Sequence, residues 1–367
     1  LPLVKAALGR HRRWLIFGTL FSAHALTVGS TSYSFGLFIE PLEAEFNWQR
    51  TAISASLSFL AFGSLLSPVI GRLIDHYSAR PIMTSALALI GLSFLLRPFM
   101  TELWHWYALS LIQFVAMAGA SAMPSGRLIP IWFQSTQGRV MGFTTMGINV
   151  GGITLPLLVT GLLRTASWEA AYVALGVISL VIALSALLFV RDRTERELTG
   201  DVQAEPTNEL PGFTVGNALR TRSFYAVVAA VMLGSFAHAG VLPQLPNFFI
   251  TKGAPDAVTP LTVSVMAVSG LVSKPTFGYL SERITARLAM MTILAGQAIA
   301  VMIMVVVPSV VVTWLALPLF GVSMGAHSAL FPLLVQEAFG ARNVAGIMGA
   351  STISMVLPFG IAPILAG

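Results

Sequence analysis

From Leu288 to Val335 the chain carries no Asp, Glu, Lys or Arg. A charge-free run of this length cannot cover a water-soluble domain, and it is roughly twice the ~20 residues that one membrane-spanning helix needs. It predicts two transmembrane helices in a hairpin, turning near Pro308 and Ser309. The rest of the chain follows the same rule. It is 56% hydrophobic and 10% charged, where ordinary soluble domains carry about a quarter charged residues. The charges gather between long apolar runs, so lipid is the solvent for most of the chain. Those runs are continuous instead of alternating, which excludes a strand-built barrel. The predicted fold class is an all-α membrane protein.

Eleven spans are expected, at 14–38, 51–74, 81–99, 104–128, 139–163, 169–190, 223–249, 258–281, 288–307, 310–335 and 343–367. Lys5, Arg10, Arg12 and Arg13 precede the first, with no small-residue cleavage site after it, so the N-terminus reads as a cytoplasmic tail and not a signal peptide. In that orientation Arg72, Arg80, Arg139, Arg191, Arg220, Arg287 and Arg342 join the tail on the cytoplasmic side, while Arg50, Arg97, Arg164 and Lys252 fall outside. The positive-inside rule selects it. A multi-pass protein of the plasma or inner membrane is expected. The pI of about 10.1 then reflects topology, and no nucleic-acid partner is needed to explain it. With no cysteine, disulfides and thiolate metal sites are excluded.

The mixed-charge stretch 191–222 separates six spans from five. It predicts an N-terminal bundle at 1–190, a cytoplasmic linker at 191–222 and a C-terminal bundle at 223–367. The two halves are related in sequence. Pro68, Gly71, Leu73, Asp75, Ala79 and Arg80 after the second span match Pro275, Gly278, Leu280, Glu282, Ala286 and Arg287 after the eighth, all in register. Ala23-His24-Ala25 and Ala237-His238-Ala239 form a second, shorter match. Such internal repetition is expected of carriers built from duplicated bundles.

At these residues the chain resembles the major facilitator superfamily, whose loop between helices two and three reads Gly-x-x-x-Asp followed by a basic stretch ending in Arg. Gly71, Asp75 and Arg80 stand at those positions, with His76 and Ala79 departing from the usual pattern. The resemblance implies two pseudo-symmetric six-helix bundles around a central cavity, with a twelfth helix beyond this chain. It also implies a protein able to work as a monomer, and a cytoplasmic gate in which Asp75 lies near Arg342 and Glu282 near Arg139, supported by Gly71, Arg80 and Gly278.

Charged groups inside a span are costly and mark function by default. Lys274 is such a group: it lies about two turns inside the end of its span, just before Pro275, and no carboxylate shares that span. A cation in a cavity suits an anionic substrate. Arg127, nearer the end of its own span, has a guanidinium fork suited to a carboxylate. Tyr33 and Asn149 are polar groups placed to orient a small substrate. His24, His238 and His327 fall within spans and are the proton-coupling candidates. Phosphate-loop and HExxH motifs are absent, and neither enzyme chemistry nor a cofactor is expected.

Two regions resemble the monocarboxylate porter and oxalate/formate exchanger branch: Tyr33 to Leu42 with Phe46, Trp48 and Ser54, and Ile131-Trp132-Phe133 through Gly138, Arg139 and Gly142 to Gly147 and Gly151. In that branch helix eight carries a cation just before a proline, as Lys274-Pro275 does here. Gly270 and Tyr33 stand where animal-type members place an Asp and a Lys. The resemblance implies a carrier of a small monocarboxylate or related organic anion, working by proton symport or anion exchange. An efflux carrier for amphipathic or hydrophobic compounds and a transporter-like metabolite receptor that moves nothing stay open beside it.

Overall fold

The computed structural model describes residues 2–192, 211–255 and 261–358, and every regular element in them is helical. Helix α1 (Pro2–Val28) runs through a π-turn (Gly29–Tyr33) and a 3₁₀ turn (Phe35–Phe38) into α2 (Ile39–Phe46). The wide turn forms where hydroxyls compete for backbone carbonyls. Ser30 donates to the Leu26 carbonyl at 2.7 Å and Ser34 to that of Gly29 at 2.9 Å. Asn47, with φ of 55°, ends α2 in the left-handed conformation that asparagine tolerates. Then come α3 (Arg50–Ala55), α4 (Phe59–Tyr77), α5 (Ala79–Leu96), α6 (Leu103–Ala120), α7 (Ala122–Trp132), α8 (Gln137–Thr165) and α9 (Trp168–Phe189). A single turn, α10 (Val215–Ala218), precedes α11 (Arg222–Thr251), α12 (Leu261–Ile284), α13 (Ala286–Val306), α14 (Val310–Phe339) and α15 (Val344–Thr352).

Among the described residues eight helical segments are long and apolar enough to cross a membrane, from Arg50–Tyr77 to Val310–Phe339. Helix α1 covers 14–28 of the predicted span 14–38, α12 covers 261–281 of the predicted span 258–281, and α15 lies in the first part of the predicted span 343–367. The charge-free run is the expected hairpin, α13 ending at Val306 and α14 starting at Val310. The end of that last predicted span, from 359 on, and most of the predicted linker, 193–210, lie outside the described residues.

Contacts divide the chain into two compact units. The first comprises Leu1–Gln134, Met146–Pro211 and Ala341–Ala350; the second comprises Ser135–Thr145, Gly212–Gly340 and Ser351–Gly367. In the second, Leu245 and Phe249 of α11 pack with Met266 of α12, Met304 of α13 and Phe320 of α14 into one buried cluster.

The sequence repeat reappears as repeated geometry inside each unit. Helices α4 and α12 both end in a residue of positive φ that is not glycine, Ser78 at 87° and Thr285 at 125°. These two stand at equivalent places of the repeat, where a tight reversal must start the next helix at once. Gly71 lies against the Ala345 carbonyl in the first unit and Gly278 against the Gly138 carbonyl in the second. Gly349 meets Ser67, while Gly142 meets the backbone of Lys274 and Pro275. Each partner is displaced along the chain by the same offset that relates Asp75 to Glu282. Small residues are what permit such helix approach within a membrane. At Gly142 a Cβ would collide with backbone and not with a movable side-chain tip. Gly142→Val is therefore expected to abolish accumulation of folded protein, checked by size-exclusion profile in detergent. A monodisperse variant at native yield would contradict this packing.

Candidate functional site

In the first unit three charged side chains converge where α4, α7 and the segment just after α9 meet. Arg127 of α7 donates from Nη1 to Asp75 Oδ1 at 3.1 Å and from Nε to Asp192 Oδ2 at 3.0 Å. The side chains of Arg127 and Asp75 are 9% and 2% exposed. Asp75 also accepts from the Gly346 N–H at 2.7 Å and the Ala345 N–H at 3.3 Å. These are orphan donors of the first turn of α15, where a carboxylate meets both unsatisfied N–H groups and the positive end of the helix dipole. Asp192 accepts from the Ala79 N–H at 3.4 Å, at the start of α5. Arg127, assigned from sequence to the substrate, is thus engaged by two carboxylates. Asp75 caps the turn that follows Arg342, which is half-buried, and Arg80 is exposed on α5.

The second unit repeats this plan with other residues. Glu282 accepts from the Arg139 N–H and from Arg139 Nε, both at 2.8 Å, and so caps α8 as Asp75 caps α15. Glu337 accepts from the Ala286 N–H at the start of α13, as Asp192 does at the start of α5. Glu282 and Arg139 are the neighbours expected from sequence. The Arg139 side chain, however, is 45% exposed and lies over the Tyr279 ring at 5.3 Å.

Lys274 is buried in α12, and its Nζ donates to the Thr145 carbonyl of α8 at 3.0 Å. Pro275, inside the helix, cannot donate a backbone hydrogen bond, which weakens the helix locally beside the ammonium. The histidines are spread over both units. His24 bonds the Ser125 hydroxyl at 3.1 Å between α1 and α7. His327 of α14 packs against Gly234 of α11, one turn before His238, and Gln297 of α13 donates to the Gly234 carbonyl at 3.1 Å. The His327 Nε2 is buried without a hydrogen-bond partner among the described residues. The Tyr33 ring lies against Gly152, and Asn149 is half-buried on α8.

Two participants were not singled out from sequence. Asp192 sits at the start of a polar stretch rich in both signs of charge, where nothing local distinguishes it. Arg97, read only as a charge outside the spans, is 2% exposed in the turn after α5. It bonds Gln113 Oε1 at 2.7 Å and the Ser110 hydroxyl at 3.3 Å. Its guanidinium lies 4.3 Å from the Trp106 ring and 4.5 Å from that of Tyr172. The aromatic residues near Arg97-Pro98 were the available signal.

Long apolar helices in two repeated halves, with carboxylates capping helix ends and a lysine buried among them, define a multi-pass membrane protein of duplicated design. The chain belongs to the Major Facilitator Superfamily, whose family model matches residues 9–363. It is 24% identical over 363 residues to the uncharacterised MFS-type transporter YhjX of Escherichia coli K12, covering 96% of this chain and 86% of that one. Human monocarboxylate transporter 11 is 26% identical over 359 residues, covering 94% and 73%. The solved structure of the human organic anion transporter MFSD10 shares the fold, with a TM-score of 0.70 at 14% identity, covering 97% of this chain and 92% of that one. The protein is a membrane transporter of this superfamily and not an enzyme.

Proposed function

We propose that the protein is a secondary transporter of a small monocarboxylate or related organic anion, acting by alternating access, with Lys274 as the group that binds the carboxylate. The observation that carries this reading is a lysine ammonium buried within α12 and bonded to a backbone carbonyl of α8. An ammonium held within a membrane span offers an entering carboxylate a charge-assisted bond. Monocarboxylate transporter 11 and the organic anion transporter MFSD10 are named for substrates of that chemistry. Arg127 is held by Asp75 and Asp192, which favours a gating role over direct substrate contact. In this proposal Gly71, Asp75, Arg80 and Arg342 form one half of the gate and Arg139, Gly278 and Glu282 the other, the capped helix starts opening and closing in turn. Tyr33 and Asn149 orient the substrate. His24, His238 and His327 are the groups that link proton binding to transport if the carrier is a symporter.

The test is uptake of labelled lactate, formate and oxalate into proteoliposomes under an imposed pH gradient, native against Lys274→Ala. Saturable uptake that falls at least tenfold in Lys274→Ala is expected, and its dependence on the gradient separates symport from exchange. No saturable uptake of any of the three anions would reject the anion reading in favour of an efflux carrier for apolar compounds.

A further inference from the structure

We propose that the second unit carries a specific binding site for an anionic glycerophospholipid in the seam between α11 and α13. A cavity of about 570 Å³ opens there at the end where both helices begin, lined by Arg222 and Ser223 of α11, Arg287 of α13 and Glu337 of α14. The two arginines stand one at the first residue of α11 and the other in the first turn of α13, each where an apolar span begins. That is headgroup depth for a bilayer, where arginine side chains meet lipid phosphate. Glu337 is the carboxylate in the lining, and it is engaged by the Ala286 N–H. Two guanidinium groups on separate helices therefore face the cavity against one carboxylate already capping a helix. Charge complementarity selects an anionic headgroup, which a guanidinium binds bidentately.

What lies beneath the arginines selects a lipid over a free anion. The floor of the cavity is apolar, formed by Val227, Met290 and Leu334 among others. Leu294 then belongs both to this cavity and to a second of about 570 Å³ that continues along the same seam past Ala298 to Val305. Met302 and Val306 of that stretch are 64% and 67% exposed, as side chains facing acyl chains are in a membrane protein. Helix α13 has 21 residues, about 30 Å in length, so the track exceeds the ~15 Å that an acyl chain of one leaflet requires. A phosphate under two arginines with one acyl chain along the seam occupies both cavities. Such a lipid clasps the first turns of α11 and α13 together.

The full chain is purified in neutral detergent and titrated with phosphatidylglycerol or phosphatidylcholine of identical acyl chains, and bound lipid is counted by native mass spectrometry. Phosphatidylglycerol is expected to bind roughly tenfold or more tightly, since each basic residue near lipid phosphate contributes about a factor of five. Arg222→Ala/Arg287→Ala should reduce it to the phosphatidylcholine level, while Arg222→Lys/Arg287→Lys, which reports on folding, keeps most of the preference. Ala298→Phe blocks the apolar track with both arginines intact, and it should weaken phosphatidylglycerol retention as well. Equal retention of the two lipids by the native chain, or a native preference surviving the double alanine change, overturns the proposal. So does displacement of the lipid by an equal concentration of glycerol 3-phosphate, which would show that the acyl chain contributes nothing.

Discussion

Replacing Asp75 with alanine is expected to lower the stability of the folded protein by on the order of 3–5 kcal/mol, the cost of removing one partner from a buried ion pair. The substitution strands Arg127, whose side chain is 9% exposed, with Asp192 as its remaining carboxylate. It also takes the acceptor from the Ala345 and Gly346 N–H groups, so the first turn of α15 loses its cap, a loss of about 0.5–2 kcal/mol on its own. Asp75→Asn keeps the shape and one acceptor oxygen while losing the charge, and it should fall between native and alanine. The measurement is thermal unfolding in detergent, followed by circular dichroism. An alanine variant within about 1 kcal/mol of native would mean that the triad is solvated in practice and holds nothing.

The equivalent change in the other half is expected to be mild, although the geometry looks the same on paper. Arg139 bonds Glu282 twice at 2.8 Å, yet its side chain is 45% exposed, so water takes its place readily. Exposed pairs contribute about 0–1 kcal/mol, so what the loss of Glu282 removes is mainly the cap on α8, about 0.5–2 kcal/mol. Repetition of sequence has therefore preserved the pattern of caps without preserving their energies. What differs is burial: the first unit encloses its acid with an arginine from α7, and the second leaves its arginine at the surface.

The positions of the spans were legible because lipid allows few solutions: about 20 apolar residues per crossing, and charges only where a helix ends. The α13–α14 hairpin follows from that rule, and the Glu282–Arg139 contact from the resemblance to the superfamily. The partners of Arg127 do not. Asp75 was readable as a motif residue, but Asp192 follows α9 at the edge of a polar stretch, and only the folded chain brings it to Arg127. The same holds for the caps on α5 and α13, where one carboxylate each reaches a backbone N–H far away in sequence. Local periodicity has no access to such pairings.

Arg97 is the strongest case of a role hidden from sequence, and its removal is expected to have an effect comparable to that of Asp75. A cation at the end of a span normally reaches water or headgroups, and by that default Arg97 is unremarkable. In the fold it is 2% exposed, and among the described residues no carboxylate pairs with it. Its charge is balanced instead by Gln113, by Ser110 and by the faces of Trp106 and Tyr172, which come from α6 and α9. Desolvated cation–π contacts contribute about 2 kcal/mol or more. Gln113 in turn donates to the Thr31 hydroxyl of the π-turn at 3.3 Å, so the arginine organises that turn, α6 and α9 through one network. Arg97→Ala opens a cavity against two aromatic rings and leaves Gln113 Oε1 without its donor. A loss of about 3–5 kcal/mol follows from the truncation and the stranded acceptor together. Arg97→Lys should recover less than half of it, because an ammonium neither stacks flat on two rings nor spans both acceptors. Arg97→Met separates the two contributions, since it fills most of the volume without charge. A methionine variant that melts with the native protein would show that Arg97 is packing alone, whereas a melting point between native and alanine assigns the difference to the cation and its aromatic cage.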